Sequence, residues 1–289
     1  ADGSAKAEGE GPILYSYGKN IFDQILSNLG AKMYQLNGLT GLLRSQTFSL
    51  GRLVRAAVLH RELVAASLET SVAKNHWLKH LQVMISRQSA NSSEGFFLAT
   101  KGGHNGENHN HNDVGSCLVF YDGQPVIIDV GVETYTAQTF SAQRYKIWTM
   151  RSEYHNLPII NGRGQSPGRE YGARRVLHSS DDFMSRVSMD ISPAYPKSSG
   201  VKSWSRSYTL QRHPQSHISI ADQYSLEFAR SIQMVFMLAQ KPKINGDTVE
   251  LQADCKQIQL IYNGPQSSII CEQISILDAR LKPVWGDVI

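Results

Sequence analysis

Near residue 80 the apolar positions of this chain change their period, and one element cannot serve both a three-to-four-residue repeat and an alternating one. Before that point Phe22, Ile25, Leu26 and Leu29 share a helical face. After a glycine-containing break, Leu50, Leu53, Val54, Ala57 and Val58 repeat the pattern behind Ser49, whose hydroxyl suits an N-cap. Two or more amphipathic helices are expected before residue 75, each with an apolar face that needs a partner. Beyond it, residues 81–85 and 95–99 are short β-rich runs, and residues 118–121 and 124–128 are joined through Asp122-Gly123, a two-residue hairpin signal. Runs at 207–210, 217–220, 233–238 and 257–262 follow at intervals typical of antiparallel sandwiches, with Asn245-Gly246-Asp247 as another turn. The expected organisation is a flexible Gly-, Ala- and Glu-rich segment over 1–12, a helical segment over 13–78 and a mainly β antiparallel sandwich over 79–289.

The most informative stretch for chemistry is Glu107-Asn108-His109-Asn110-His111-Asn112-Asp113. On an extended segment its two imidazoles, two residues apart, project to the same side. Asp129 closes the apolar run Val126-Ile127-Ile128, and His155 lies in Arg151-Ser152-Glu153-Tyr154-His155-Asn156. Two neutral imidazoles and one carboxylate match what zinc accepts, with a position left for water or another group. An Asn-rich loop whose histidines are solvated or only hydrogen-bonded fits the same letters.

The hairpin sets a condition on any such site. A two-residue turn at Asp122-Gly123 pairs Asp129 with about Ser116, which leaves His111 five residues further along, about 17 Å at roughly 3.3 Å per residue if the chain runs straight. Zinc needs its ligands at about 2 Å. The chain must therefore bend before Ser116, and Gly115 is the residue best able to do so.

From Pro12 to the C-terminus the chain resembles the heparinase II/III-like polysaccharide lyases. The likeness is carried by Lys101-Gly102-Gly103-His104-Asn105-Gly106-Glu107-Asn108-His109-Asn110-His111-Asn112-Asp113-Val114-Gly115, by Tyr121-Asp122-Gly123-Gln124-Pro125-Val126-Ile127-Ile128-Asp129-Val130-Gly131 and by Arg151-Ser152-Glu153-Tyr154-His155-Asn156. The resemblance implies a β-sandwich preceded by the end of an (α/α) toroid, with structural zinc held by His111, Asp129 and His155. It places His109 at a substrate cleft, and a principal Tyr and a neutralising Asn or His in the toroid upstream of residue 1. The chain is then a C-terminal portion whose active site a missing N-terminal toroid completes.

The reaction so implied is β-elimination from a uronic-acid-containing acidic polysaccharide, which requires neutralising the carboxylate before a base and an acid act. Expected catalytic residues are His109 and Tyr145. His104, Glu107, Asn108 and Arg151 are expected to touch substrate, and Arg144, Lys146, Arg151, Arg169, Arg174 and Arg175 form an anion-facing set suited to carboxylate or sulfate. Two further classes stay open: a non-catalytic saccharide-binding module, and a zinc hydrolase using the open coordination position. The second lacks a Glu placed as in a His-Glu-x-x-His helix.

A net charge of +4 and pI near 8.9 do not by themselves imply an anionic partner, and nucleic acid is not expected. No apolar run approaches the roughly 20 residues that cross a bilayer. The opening Ala1-Asp2-Gly3-Ser4 lacks the basic and apolar regions of a signal peptide. The family points to a bacterial periplasmic or secreted protein, the missing signal to a cytoplasmic one. Cys117, Cys255 and Cys271 are expected as free thiols.

Overall fold

The computed structural model describes residues 11–44, 49–69, 71–253, 256–265 and 267–289. The chain divides between Ala73 and Lys74 into two compact units.

The first unit holds α1 (Gly11–Asn20), α2 (Gln24–Arg44) and α3 (Leu50–Ala65). The expected helix across 21–29 is interrupted, because Phe22 adopts φ +59° between α1 and α2. Gly11 and Pro12 are buried in the first turn of α1, whereas residues 1–10 lie outside the described residues. Gly30 lets α1 and α2 approach closely, since a Cβ there would sit 2.3 Å from the Tyr15 nitrogen. Ser49 caps α3 as expected, its side chain accepting from the Arg52 N–H. Tyr15, Ala31, Tyr34, Leu42, Ala56 and Leu63 form a small core, while Phe22, Leu36, Leu50 and Val58 remain exposed.

The second unit runs in order through β1 (Asn75–Leu78), β2 (Val83–Arg87), β3 (Phe96–Lys101), β4 (His104–Asn105), β5 (Cys117–Tyr121), β6 (Gln124–Ile127), β7 (Pro158–Ile160), β8 (Gly168–Gly172), β9 (Arg174–Ser180) and β10 (Met184–Asp190). It continues with β11 (Val201–Gln211), β12 (His217–Leu226), β13 (Ile232–Met234), β14 (Lys243–Asn245), β15 (Thr248–Ala253), β16 (Lys256–Ile261) and the short helix α4 (Lys282–Trp285). Strand β1 begins inside the span expected to be helical to residue 78. The two main sheets have the orders β1-β2-β3-β5-β6 and β12-β11-β10-β9, and every pairing is antiparallel. Met84, Leu98, Val119 and Val126 of one sheet and Val187, Trp204, Tyr208 and Leu210 of the other belong to a single buried cluster, which is the sandwich core.

The Asp122-Gly123 hairpin forms with Tyr121 opposite Gln124, both turn residues taking positive φ as a type I′ turn requires. The 245–247 turn also forms, with Asn245 opposite Thr248. The expected run at 233–238 contributes only its first two residues to β13, against β7. No helix of the described residues is long and apolar enough to cross a membrane. Cys117 is a buried free thiol and Cys271 an exposed one; Cys255 lies outside the described residues.

Candidate metal centre and its rim

Three segments deliver His111, Asp129 and His155 to one place, where one ligand atom from each lies within 4.8 Å of the others. The bend demanded at Gly115 is present. Its φ is +83°, and a Cβ there would lie 2.7 Å from Ile191 Cγ2, so both conformation and space require glycine. Tyr208 Oη donates to the Gly115 carbonyl at 2.5 Å, fixing the turn from the opposite sheet. The segment carrying His111 is clamped further by Gln165, which donates to the Val114 carbonyl and accepts from the Val114 N–H and from Asn105 Nδ2.

Asp129 lies just past the end of β6, where Gly131 N–H donates to its Oδ1 at 2.9 Å. Asn156 pins this exit: its Nδ2 donates to the Ile128 and Cys117 carbonyls, and its Oδ1 accepts from the Met237 N–H. Arg206, fully buried and paired with Asp222 at 2.8 Å, donates to the Asn156 carbonyl. A charge so deep is tolerated only because its donors are matched. His155 follows the short 3-10 turn Ser152–Tyr154.

The protonation pattern is informative. His155 Nε2 lies 2.9 Å from the Thr149 carbonyl, which can only accept, so Nε2 carries a proton. Nδ1 then faces Asp129 Oδ2 at 3.2 Å, lone pair against lone pair unless a proton or a cation lies between them. Burial is the largest single influence and opposes the imidazolium, but the charge and hydrogen bond of Asp129, the Asp113 charge and the Thr149 carbonyl together outweigh it and raise the His155 pKa. Burial also works against the Asp129 carboxylate, yet His155, His111 and the Gly131 N–H together hold it well below the usual carboxylate range.

His111 is completely buried, and neither ring nitrogen has a hydrogen-bond partner. Burial first, and then the neighbouring His155, pull it down to about 4, so it is neutral near pH 7 with a lone pair to give. Leaving such a ring unsatisfied is costly. A cation bound by His111, Asp129 and His155 satisfies one of the two orphaned His111 nitrogens and separates the facing lone pairs of His155 and Asp129, so this donor set fits a metal ion.

The extended geometry expected for the His-x-His pair does not occur. His109 has φ +55°, which rotates the chain and sends the two imidazoles to different environments. His109 is exposed, 3.4 Å from Tyr135 Oη through its Nδ1. Tyr145 is half-buried and its hydroxyl accepts from Asn110 Nδ2 at 3.2 Å.

His104, Glu107 and Asn108 line a groove of about 720 Å³ together with His80, Arg169 and Arg174. Lys101 reaches Glu107 at 3.1 Å and Asp113 at 2.5 Å, tying this wall to the segment carrying His111. Arg151 does not line that groove; it pairs with Glu153 at 2.6 Å. The anion-facing set is thus divided, because Arg144 also turns inward onto the Asn110 and Thr139 carbonyls. The roles of Gln165 and Asn156 were missed, since a lone Gln or Asn in a loop carries no periodicity or spacing to announce a clamp.

Residues 80–275 match the family model described as heparinase II/III-like, C-terminal. The heparan sulfate lyase of Pedobacter heparinus superposes with a TM-score of 0.55 at 12% identity, over 91% of this chain and 46% of that one. A heparinase III crystal structure gives 0.56 at 12% identity, over 99% and 51%. The chain therefore spans about half the length of these solved structures, and at that identity they establish the fold alone. No curated protein sequence matches it. Two facing antiparallel sheets, the His111, Asp129 and His155 cluster and a family match over most of the chain lead to one placement: this chain belongs to the heparinase II/III-like family, and residues 80–275 are its C-terminal domain.

Proposed function

We propose that the chain is the C-terminal part of a polysaccharide lyase that cleaves uronic-acid-containing acidic polysaccharide by β-elimination, with a structural zinc at His111, Asp129 and His155. The observation that carries the reading is the completely buried His111, with two unpartnered ring nitrogens, facing an Asp129–His155 pair in a heparinase II/III-like domain. Zinc bound there supplies a fixed positive centre that locks two loops and a strand end without activating water.

In the elimination the C5–H bond breaks, its electron pair forms the C4=C5 double bond, and the C4–O bond to the leaving chain breaks as that oxygen takes a proton. On this reading His109 stands at the rim and exchanges one of these protons. Tyr145, held through Asn110 beside the same segment, is assigned as a second proton-transfer residue. His104, Glu107 and Asn108 meet sugar hydroxyls along the groove, and Arg169 and Arg174, which also line it, meet the acidic groups. The rest of the cleft is assigned to a helical toroid preceding this chain, consistent with the half-length coverage of the lyase structures. Heparan-type chains are the first substrate to test, because one matched structure is a heparan sulfate lyase.

Two measurements test the reading. Atomic emission is expected to find zinc in the wild-type chain and none in His111→Ala; normal metal in the variant refutes the ligand assignment. The complete parent enzyme is expected to generate the ultraviolet absorbance of an unsaturated uronate. A cleaved product without a double bond identifies a hydrolase, and binding without cleavage identifies a saccharide-binding module.

A further inference from the structure

The segment that leaves Asp129 carries a second, exposed feature. Tyr135 and Phe140 pack edge-to-face at 5.4 Å, and the His109 ring lies against both, at 6.2 Å from Tyr135 and 6.1 Å from Phe140. Phe140 is 68% exposed and Tyr135 38% exposed. The Arg280 guanidinium lies over the Tyr135 ring at 5.5 Å.

This cluster is held rigidly from below. Trp285 Nε1 donates to the Val130 carbonyl, Trp148 Nε1 to Glu133, and Thr134 N–H to Asp278, each within 3.0 Å. A short 3-10 turn at Ala137–Phe140, boxed by Thr136 and Thr139, then presents Phe140 outward. Keeping a large aromatic ring exposed on a braced loop costs hydration and gives the fold little, whereas a pre-ordered ring loses little entropy when it meets a ligand.

We infer that Tyr135, Phe140 and His109 form a platform for one pyranose ring of an acidic saccharide, with Arg280 receiving that sugar's anionic substituent. The inference rests on the lyase reading of the domain and adds to it a subsite. The negative faces of the aromatic rings attract the polarised C–H face of a sugar, and a guanidinium donates in a fork to carboxylate or sulfate. Asn108, which lines the groove, directly precedes His109, so groove and platform adjoin along the chain.

The test is calorimetric titration of this chain with a heparin-derived octasaccharide, its desulfated counterpart and neutral cellohexaose. Phe140→Ala is expected to weaken the octasaccharide about tenfold, as truncating an aromatic anchor does. Its unfolding midpoint should stay at the wild-type value, which separates lost stacking from lost folding. Tyr135→Phe keeps the ring and should bind as wild type. Arg280→Gln should abolish the preference for charged over neutral probe. If the preference falls for the sulfated probe alone, the group received is sulfate; if it falls for both uronate probes, it is carboxylate. Wild-type affinity in Phe140→Ala, or no binding by the wild-type chain, overturns the platform. Elimination by the complete enzyme with Phe140→Ala binding unaffected sinks the platform alone, while Phe140-dependent binding without elimination sinks the lyase reading alone.

Discussion

His109 and His111 are two residues apart and occupy opposite worlds. His111 is sealed in the interior without a protein partner for either nitrogen, whereas His109 sits at the surface among aromatic rings. The difference is made by backbone. Positive φ at His109 and Gly115 brackets the segment and folds it so that one imidazole points to Asp129 and the other to the rim. A buried ring can contribute to stability by binding an ion; an exposed one contributes little to the fold and is available to a ligand. Substitutions should therefore separate metal and stability effects from surface effects.

The largest separation is expected at His111. In the presence of zinc at about a thousand times its Kd, binding adds about 4 kcal/mol to the folded state, all of which His111→Ala should forfeit. A chelator should lower the unfolding midpoint of the wild-type chain and leave that of His111→Ala unmoved. Equal chelator sensitivity in both would place the ion elsewhere and erase the contrast between the two histidines.

Next come the residues that shape the buried side without offering a metal ligand atom. Asn156→Ala orphans two carbonyls and the Met237 N–H, a loss of about 3 kcal/mol. Gly115→Ala forces a methyl group into the Ile191 side chain at positive φ and should cost about 2 kcal/mol. Denaturant unfolding measures both, and emission spectroscopy of the folded variants should still find zinc. Loss of metal in Gly115→Ala with unchanged stability would mean that the bend serves the ion rather than the fold.

How far the letters reached follows the same division. The period change, the Asp122-Gly123 turn, the Ser49 cap and the bend at Gly115 were legible because each is a local rule written in a few adjacent residues. The three candidate ligands came from separate segments and were legible through the family motif. Strands β9 and β10 were not anticipated. Alternation is plain in the burial of β10, but its inward face mixes Ser185 with Val187 and Met189, which blurs an apolar pattern. The break at Phe22 was hidden because its apolar side chain fits a helical stripe while its backbone does not. The clamps Gln165 and Asn156 were silent for a different reason. They act by hydrogen-bonding to backbone groups far away in the chain, and backbone groups leave no letter in a sequence.

The smallest effect on the fold is expected at His109, and it is the one that most sharpens the contrast. An exposed ring whose contacts are with other surface aromatics should cost less than about 0.5 kcal/mol when cut to alanine, and zinc should remain bound. In the complete enzyme, removing a group that moves a proton should lower turnover by about a hundredfold or more. A pH–rate profile then distinguishes its two roles on the proposed surface: loss of a limb of the profile marks proton transfer, whereas a higher KM with the profile intact marks only sugar contact. If His109→Ala lowers stability as far as Asn156→Ala does, the rim is part of the buried scaffold, and the division drawn between the two histidines fails.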